Sequence, residues 1–316
     1  MKSYMFLLYI TSFVLLTGCK ENKIERLSKA QTKELIFRLP EIPAMLVSPE
    51  ERAEYLVKHY WDNFEFADPS LTCKQKSIEP IFADFVGVFP HTTYLTACIG
   101  INILMEKAKT NAKIYIYFAE LAKKYFYDSN SPIHNEEYYI PFLKSVTESN
   151  VLDNTHKIRF KHQLNLTLKN RQNSIATDFI YTLASGKCSQ LWDIKSEYIL
   201  LYFNNPDCEE CIEMQNRIVA SSLFVTLQNQ KVNHHKKLTV LSVYADEEPE
   251  SWKKHLSEYP ANWICGYDKK LNIRNHELYD LKAMPTLYLL DREKKVLLKN
   301  TSLENVELYL QNKLKE

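Results

Sequence analysis

Residues 198–211 read YILLYFNNPDCEEC: an apolar run from Tyr198 to Phe203, the breaker Asn204-Asn205-Pro206, then two cysteines with two residues between them. The run has the length and β-rich composition of a strand buried on both faces, and Asn-Asn-Pro stops it. A helix is predicted from about Cys208 to Gln230. Cys208 and Cys211 therefore stand where a core strand ends and a helix begins. Two intervening residues at a helix start let both sulfurs come within disulfide reach while the first stays exposed. Unpaired amides and the helix dipole favour a thiolate on Cys208, the form that attacks a disulfide, and Cys211 can resolve the mixed disulfide that results.

The surrounding sequence alternates β and α signals. Upstream, Asp178–Leu183, the turn Ala184-Ser185-Gly186 and Lys187–Trp192 predict a β-hairpin. Downstream come a strand Leu238–Tyr244, a helix from Pro249 to about Tyr259, a short helix around Arg274–Asp280, strands Thr286–Asp291 and Lys295–Lys299, and a last helix Leu303–Leu314. Such alternation implies crossover connections and a sheet with some parallel pairing. His234-His235 beside Lys236-Lys237 reads as a solvated loop, and Cys265 as a buried free cysteine in a strand.

From about Ser48 to Lys169 the period is helical instead. Ser48-Pro49-Glu50-Glu51 gives an N-cap, a proline at the first helical position and acids in the first turn. Further helices are predicted near Ile78–Val88, Thr93–Lys107, Ala112–Tyr127, Glu136–Ser149 and Lys157–Lys169. Aromatic residues such as Phe82, Phe85, Phe118, Phe126 and Phe142 recur at helical spacing and read as core. The expected organisation is a signal over 1–18, a linker over 19–40, an all-α domain over 41–169 and an α/β domain over 170–316.

Composition narrows the function. The chain has 316 residues with 40 Lys plus Arg against 39 Asp plus Glu, a formal charge of +1, so no basic field exists to hold nucleic acid. Its five glycines are too scattered for a phosphate-cradling loop, which disfavours nucleotide cofactors. Half of a zinc site also reads Cys-x-x-Cys. The other cysteines after Cys19 (Cys73, Cys98, Cys188, Cys265) stand singly, however, and no His follows Cys211 at finger spacing. No metal and no cofactor beyond a redox-active Cys208–Cys211 disulfide is expected.

Residues 1–19, MKSYMFLLYITSFVLLTGC, place a Lys, an apolar run and small residues ahead of Cys19, the order of a secretory signal. Leu16-Thr17-Gly18-Cys19 resembles the lipobox of bacterial lipoproteins. That resemblance implies cleavage before Cys19, a lipid on its thiol and a chain anchored without spanning the bilayer. Removing residues 1–18 takes away Lys2 and no acid, leaving a formal charge of zero. Lys20 follows the cysteine, which by resemblance to Gram-negative sorting permits transfer to the outer membrane, facing the periplasm.

The half that begins near Asn170 resembles the membrane-anchored thioredoxin-like thiol-disulfide oxidoreductases of the TlpA and ResA type. The resemblance rests on the hairpin at Ser185-Gly186-Lys187, the strand Ile199–Phe203, the pair Cys208 and Cys211, and Met284-Pro285-Thr286 before Leu287–Asp291. It implies a thioredoxin-like α/β fold, a cis peptide bond at Pro285 that shapes the site, and a Met284 backbone that faces a substrate peptide. The helical half resembles a domain of unknown function found ahead of such modules in some Gram-negative lipoproteins.

Departures from that family carry expectations too. Asp207 stands where a Trp is usual, and Glu209-Glu210 separate the cysteines. Three acids oppose the helix dipole at Cys208, so its thiolate is expected to be less stabilised, and the couple more reducing, than in strongly oxidising relatives. Tyr202 occupies the offset of the buried carboxylate that assists proton transfer in thioredoxin, and a Tyr cannot act as a base near neutral pH. Glu210 reads as an exposed helical acid.

The sequence thus predicts a lipid-anchored cell-envelope thiol-disulfide oxidoreductase, with Cys208 as nucleophile and Cys211 as resolving thiol. It would act on protein thiols and disulfides and draw electrons from a membrane-borne donor. The alternatives are a Cu(I) chaperone, with Met214 as a further ligand, and a non-catalytic scaffold whose Cys208–Cys211 pair is a permanent bridge.

Overall fold

The computed structural model describes residue 35 and residues 37–315. The lipobox-like segment ending at Cys19 lies outside the described residues. Ser48 opens helix α1 (Pro49–His59) with a capping box: its hydroxyl accepts from the Glu51 amide while the Glu51 carboxylate reaches back to the Ser48 N–H. Five helices come next: α2 (Gln75–Gly87), α3 (Tyr94–Ala108), α4 (Ala112–Ala122), α5 (Glu136–Glu148) and α6 (Asn154–Leu168). Thr93, Asn111, Asn135 and Asp153 cap the last four through their side chains. A π-helical turn, Lys123–Tyr127, extends α4.

The aromatic periodicity packs these helices together. Trp61 is buried with its ring 5.2–6.0 Å from those of Phe64, Phe66, Phe85 and Phe118. Gly100 lets α3 approach α1, since a Cβ there would lie 2.5 Å from Val57 Cγ1 and 2.9 Å from its carbonyl oxygen.

After Leu168 the chain builds one mixed sheet from β1 (Ile180–Leu183), β2 (Cys188–Gln190), β3 (Ser196–Phe203), β4 (Lys231–Val232), β5 (His235–Tyr244), β6 (Ile264–Tyr267), β7 (Thr286–Asp291) and β8 (Val296–Lys299). Its order is β2-β1-β6-β5-β3-β7-β8, with β4 paired to β5. β3 runs parallel to β5 and antiparallel to β7. The uninterrupted apolar run of β3 reflects cover on both faces. Leu200 and Tyr202 point into a core with Ile218, Phe224, Leu227, Val306 and Leu310, whereas Ile199, Leu201 and Phe203 point into another with Phe179, Tyr279 and Tyr288. Around the sheet lie α7 (Glu209–Ala220), α8 (Ser222–Asn229), α9 (Pro249–Lys254), α10 (Asn272–Asn275) and α11 (Leu303–Lys313).

The structure differs from the expected elements in four main places, the first being that the helix expected from Pro249 to about Tyr259 ends at Lys254 and is followed by a 3-10 turn, Leu256–Glu258. The helix expected from Cys208 to Gln230 breaks at Ser221, whose backbone is extended and whose hydroxyl donates to Glu307 at 2.5 Å. Of the exposed pair His234-His235, the first is in a turn as expected and the second begins a strand. Asn233 and His234 both take positive φ (49° and 67°) and make a two-residue hairpin turn between β4 and β5. The helix expected around Arg274–Asp280 is the single turn α10, ahead of which Leu271 is left-handed.

From Phe37 onward the chain is one compact unit, so the helices and the sheet form a shared body. Their seam is polar. Tyr127 donates to Asp280 at 2.7 Å, the Asn170 amide to the Leu278 carbonyl at 2.8 Å, and Lys169 to the Glu277 carbonyl at 2.6 Å. Lys299, on β8, donates to the carbonyls of Thr167 and Lys169 at 2.9 and 2.8 Å, closing the C-terminal end of α6 with a cation.

Candidate active site

Strand register fixes the site. Phe203, the last residue of β3, pairs with Thr286, the first of β7, so the segment leaving β3 lies beside the segment entering β7. The first of these is Asn204–Asp207 with the start of α7; the second is Met284-Pro285, joined by a cis peptide bond. Cys208 is the N-cap of α7 and its sulfur accepts from the Cys211 amide at 3.3 Å, the role a Ser or Asp oxygen usually fills. The same sulfur lies 3.8 Å from the Met284 carbonyl oxygen and 3.5 Å from Glu210 Oε2. Cys208 is half-buried, Cys211 is buried, and both are free thiols.

The turn beneath the sulfurs is held by two asparagines. Asn205 Oδ1 accepts from the Asp207 amide at 2.9 Å, and its Nδ2 donates to Asp246 at 2.9 Å. Asn204 is buried; its Nδ2 donates to the Tyr202 carbonyl and Ser242 Oγ, and its Oδ1 accepts from the Tyr259 hydroxyl at 2.6 Å. The sequence marked these residues only as a strand breaker. Paired asparagines directly after a core strand are the available signal for such a turn.

Tyr202, buried on β3, donates its hydroxyl to the Cys211 carbonyl at 2.6 Å. Burial and the neighbouring Cys211 push its own ionisation well up, so it serves as a donor that holds the first turn of α7. Burial likewise pushes the Cys211 thiol up strongly; the Asn205 backbone hydrogen bond pulls the other way, and contact with Cys208 adds to the rise. Cys211 is thereby kept protonated and Cys208 is the accessible sulfur of the pair.

The acids behave differently from one another. Asp207 Oδ2 accepts from Ser251 at 2.5 Å and Oδ1 faces His255 Nε2 at 3.6 Å. Glu210 is exposed, yet its carboxylate is the one placed against Cys208. Cys265 lies on β6 opposite Ser242, and burial raises its thiol to about 12, which makes it a core thiol. Met214 packs partly against the core and partly lines a groove with Met284. Among the described residues no cluster of three or more His, Cys, Asp and Glu is placed to hold a metal ion.

That groove, about 620 Å³, begins at Glu210, Met214, Met284 and Pro285. Its opposite wall is contributed by Ser129–Pro132 and His134–Glu137 of the helical half.

The chain resembles a crystallised thioredoxin-like protein from Bacteroides caccae at 44% identity, over 88% of this chain and 99% of that one, with a TM-score of 0.83. This chain belongs to the thioredoxin-like protein family. It is also 47% identical to the C-terminal domain of an uncharacterized protein from Bacteroides fragilis, over 45% of this chain and 98% of that one, with a TM-score of 0.43. The thioredoxin domain of a thiol-disulfide oxidoreductase from Bacteroides vulgatus aligns at 20% identity over 45% of this chain and 96% of that one, with a TM-score of 0.39. A domain of unknown function (DUF5106) matches residues 16–170. No curated protein matches the chain. The expected architecture, an all-helical N-terminal region ahead of a thioredoxin-like α/β region, is thus the one this family has.

Proposed function

We propose that this thioredoxin-like protein is a thiol-disulfide oxidoreductase that reduces or exchanges disulfides in extracytoplasmic proteins. The observation that carries the proposal is the half-exposed Cys208 sulfur at the cap of α7, with the Cys211 amide on one side and the Met284 carbonyl on the other. Cys208, as thiolate, attacks one sulfur of a substrate disulfide. A new sulfur–sulfur bond joins the two proteins, and the substrate's other sulfur leaves as a thiolate that takes up a proton. Cys211 then loses its proton and attacks Cys208, which expels the second substrate thiol and leaves a Cys208–Cys211 disulfide. Two electrons have passed to the substrate, and a membrane-borne dithiol donor would restore the pair.

Pro285 shapes this site, and the Met284 backbone offers the substrate peptide an edge to pair with. Residues 1–19 support a location in the cell envelope, with Cys19 lipidated and the chain held at the outer membrane facing the periplasm. Among the described residues no helix is long and apolar enough to cross a membrane.

The direction proposed is reduction. The acids Asp207, Glu209 and Glu210 around the attacking sulfur, with the Glu210 carboxylate 3.5 Å from it, favour a reducing over an oxidising couple. Equilibration with glutathione buffers, read by alkylation and intact mass, should give a potential nearer to about −270 mV than to the about −120 mV of strong oxidants. A value at the oxidising end would contradict a reducing role. Copper titration of the reduced protein tests the metal-chaperone alternative.

A further inference from the structure

The helical half contributes more to the groove beside Cys208 than a scaffold needs to. We propose that the loop between the π-helical turn and α5, residues 128–135, is the specificity wall of the exchange site and selects disulfides carried on an extended, neutral polar polypeptide. This rests on the exchange chemistry proposed above and adds what the site accepts.

The wall is preformed. The Asn135 amide donates to the Phe126 carbonyl at 3.1 Å and closes the loop, the Ser131 hydroxyl donates to the Tyr125 carbonyl at 2.6 Å, and the Asn130 amide donates to Asp128 Oδ1 at 2.9 Å. Its two ends are tied to the segment ahead of Met284: Tyr127 to Asp280 at 2.7 Å and Glu136 to Lys282 at 2.7 Å. The distance between the wall and the Met284-Pro285 edge is therefore set by contacts within the fold.

Size points to a polypeptide. A second cavity of about 890 Å³ adjoins it, and Ser129, Asn130 and Ala283 line both. As the two arms of one surface they exceed in total the roughly 300–1,000 Å³ of a small-molecule site, and the cis proline lines the first. An extended chain with its disulfide at Cys208 occupies both arms; a small disulfide needs neither.

Chemistry points to neutral polar side chains. The first arm presents Asn130, Thr301 and Asn305, whose side chains can donate to and accept from peptide amides, beside Ser131, Asn135 and Asn300, which bond within the protein. Of its carboxylates, Glu137 is paired with Arg171 and Glu136 with Lys282 and Lys299, and Glu210 stands at the cysteine. In the second arm five cations are matched within the protein: Arg159 with Glu120, His162 with Glu277 at 2.6 Å, Arg274 with Asp246 at 2.6 Å, Lys124 with Glu79 at 2.5 Å and Lys282 with Glu136 at 2.7 Å; Lys123 shares the arm with Asp128. That leaves no one-signed field to demand an acidic or basic partner.

The test compares insulin, a polypeptide disulfide, with 5,5′-dithiobis(2-nitrobenzoate), a small one, on the full chain. In Asn130→Trp the indole fills the junction of the arms, and the ratio of kcat/KM for insulin to that for the small disulfide should fall about tenfold or more, carried by KM. Asn130→Ala should lower the ratio in the same direction by less, and it decides the matter if the Trp variant loses its fold by circular dichroism. An unchanged ratio in folded variants, or equal losses on both probes, overturns the wall. If the wild type reduces neither disulfide, the exchange reading itself fails, and the inference with it.

Discussion

Cys208→Ser loses insulin reduction by at least about a thousandfold, while its unfolding midpoint does not fall. The two halves of this expectation have one geometric origin. The Cys208 sulfur caps α7 by accepting from the Cys211 amide, and a Ser oxygen fills that role at least as well, so the helix start survives. A hydroxyl at this place cannot form a disulfide with a substrate, and Cys211 is buried where it cannot take over the attack. Insulin turbidity with dithiothreitol as recycling reductant measures the first half, and urea unfolding the second. Retained turnover in the Ser variant would remove Cys208 from the reaction.

Glu136→Ala carries the largest expected loss of stability, about 3 kcal/mol at neutral pH. Glu136 is 6% exposed at the seam between helices and sheet. Lys282 Nζ lies 2.7 Å from Oε1, Lys299 Nζ 2.8 Å from Oε2, and the Asn300 amide donates to Oε1 at 3.2 Å. The contact at Oε2 is one of charge rather than hydrogen-bond alignment. Removing the carboxylate leaves two ammonium groups without their shared anion. Lys299 keeps the carbonyls at the end of α6, which holds the cost to the lower end of the range for a broken buried pair. Glu136→Gln retains an acceptor and should cost less.

The same residue predicts a pH dependence. Burial alone would raise the Glu136 carboxyl, but Lys299 and Lys282 overcome this and hold it at about 2, against 4.5 for an ordinary Glu. A carboxyl whose value falls on folding contributes stability that is complete above its unfolded value and is lost as pH drops through the folded one. The contribution, on the order of 3 kcal/mol, should be present above about pH 4.5 and fade toward pH 2. Urea midpoints compared between pH 7 and pH 3 should therefore fall less in Glu136→Ala than in the wild type. An equal fall would assign the acid sensitivity to other groups.

Local chemistry was readable in the sequence and tertiary contact was not. The strand Tyr198–Phe203, the turn that ends it and the cysteines at the helix start are all contiguous, so periodicity and breaker residues locate them. Ser48 and Glu51 announced α1 for the same reason. The groove wall left no such trace. Glu136 reads as an acid in a first helical turn, and only the fold brings it to Lys282 and Lys299. Left-handed backbone was hidden too: in a chain with five glycines, Asn170, Asn173, Asn233 and Asn300 occupy positive φ, and asparagine marks such positions weakly. The break at Ser221 depends on Glu307, eighty-six residues away. Glu210 read as a solvated acid because exposure alone does not reveal the sulfur beside it.

The most direct test holds the reaction at its first bond. With Cys211→Ala the resolving thiol is gone, so incubation of the reduced variant with insulin should leave a covalent adduct on Cys208, visible by intact mass and released by dithiothreitol. Peptide mapping should find it at Cys208 and not at the exposed thiols Cys73 or Cys188. An adduct spread over those thiols, or none at Cys208, would contradict a Cys208-centred exchange site.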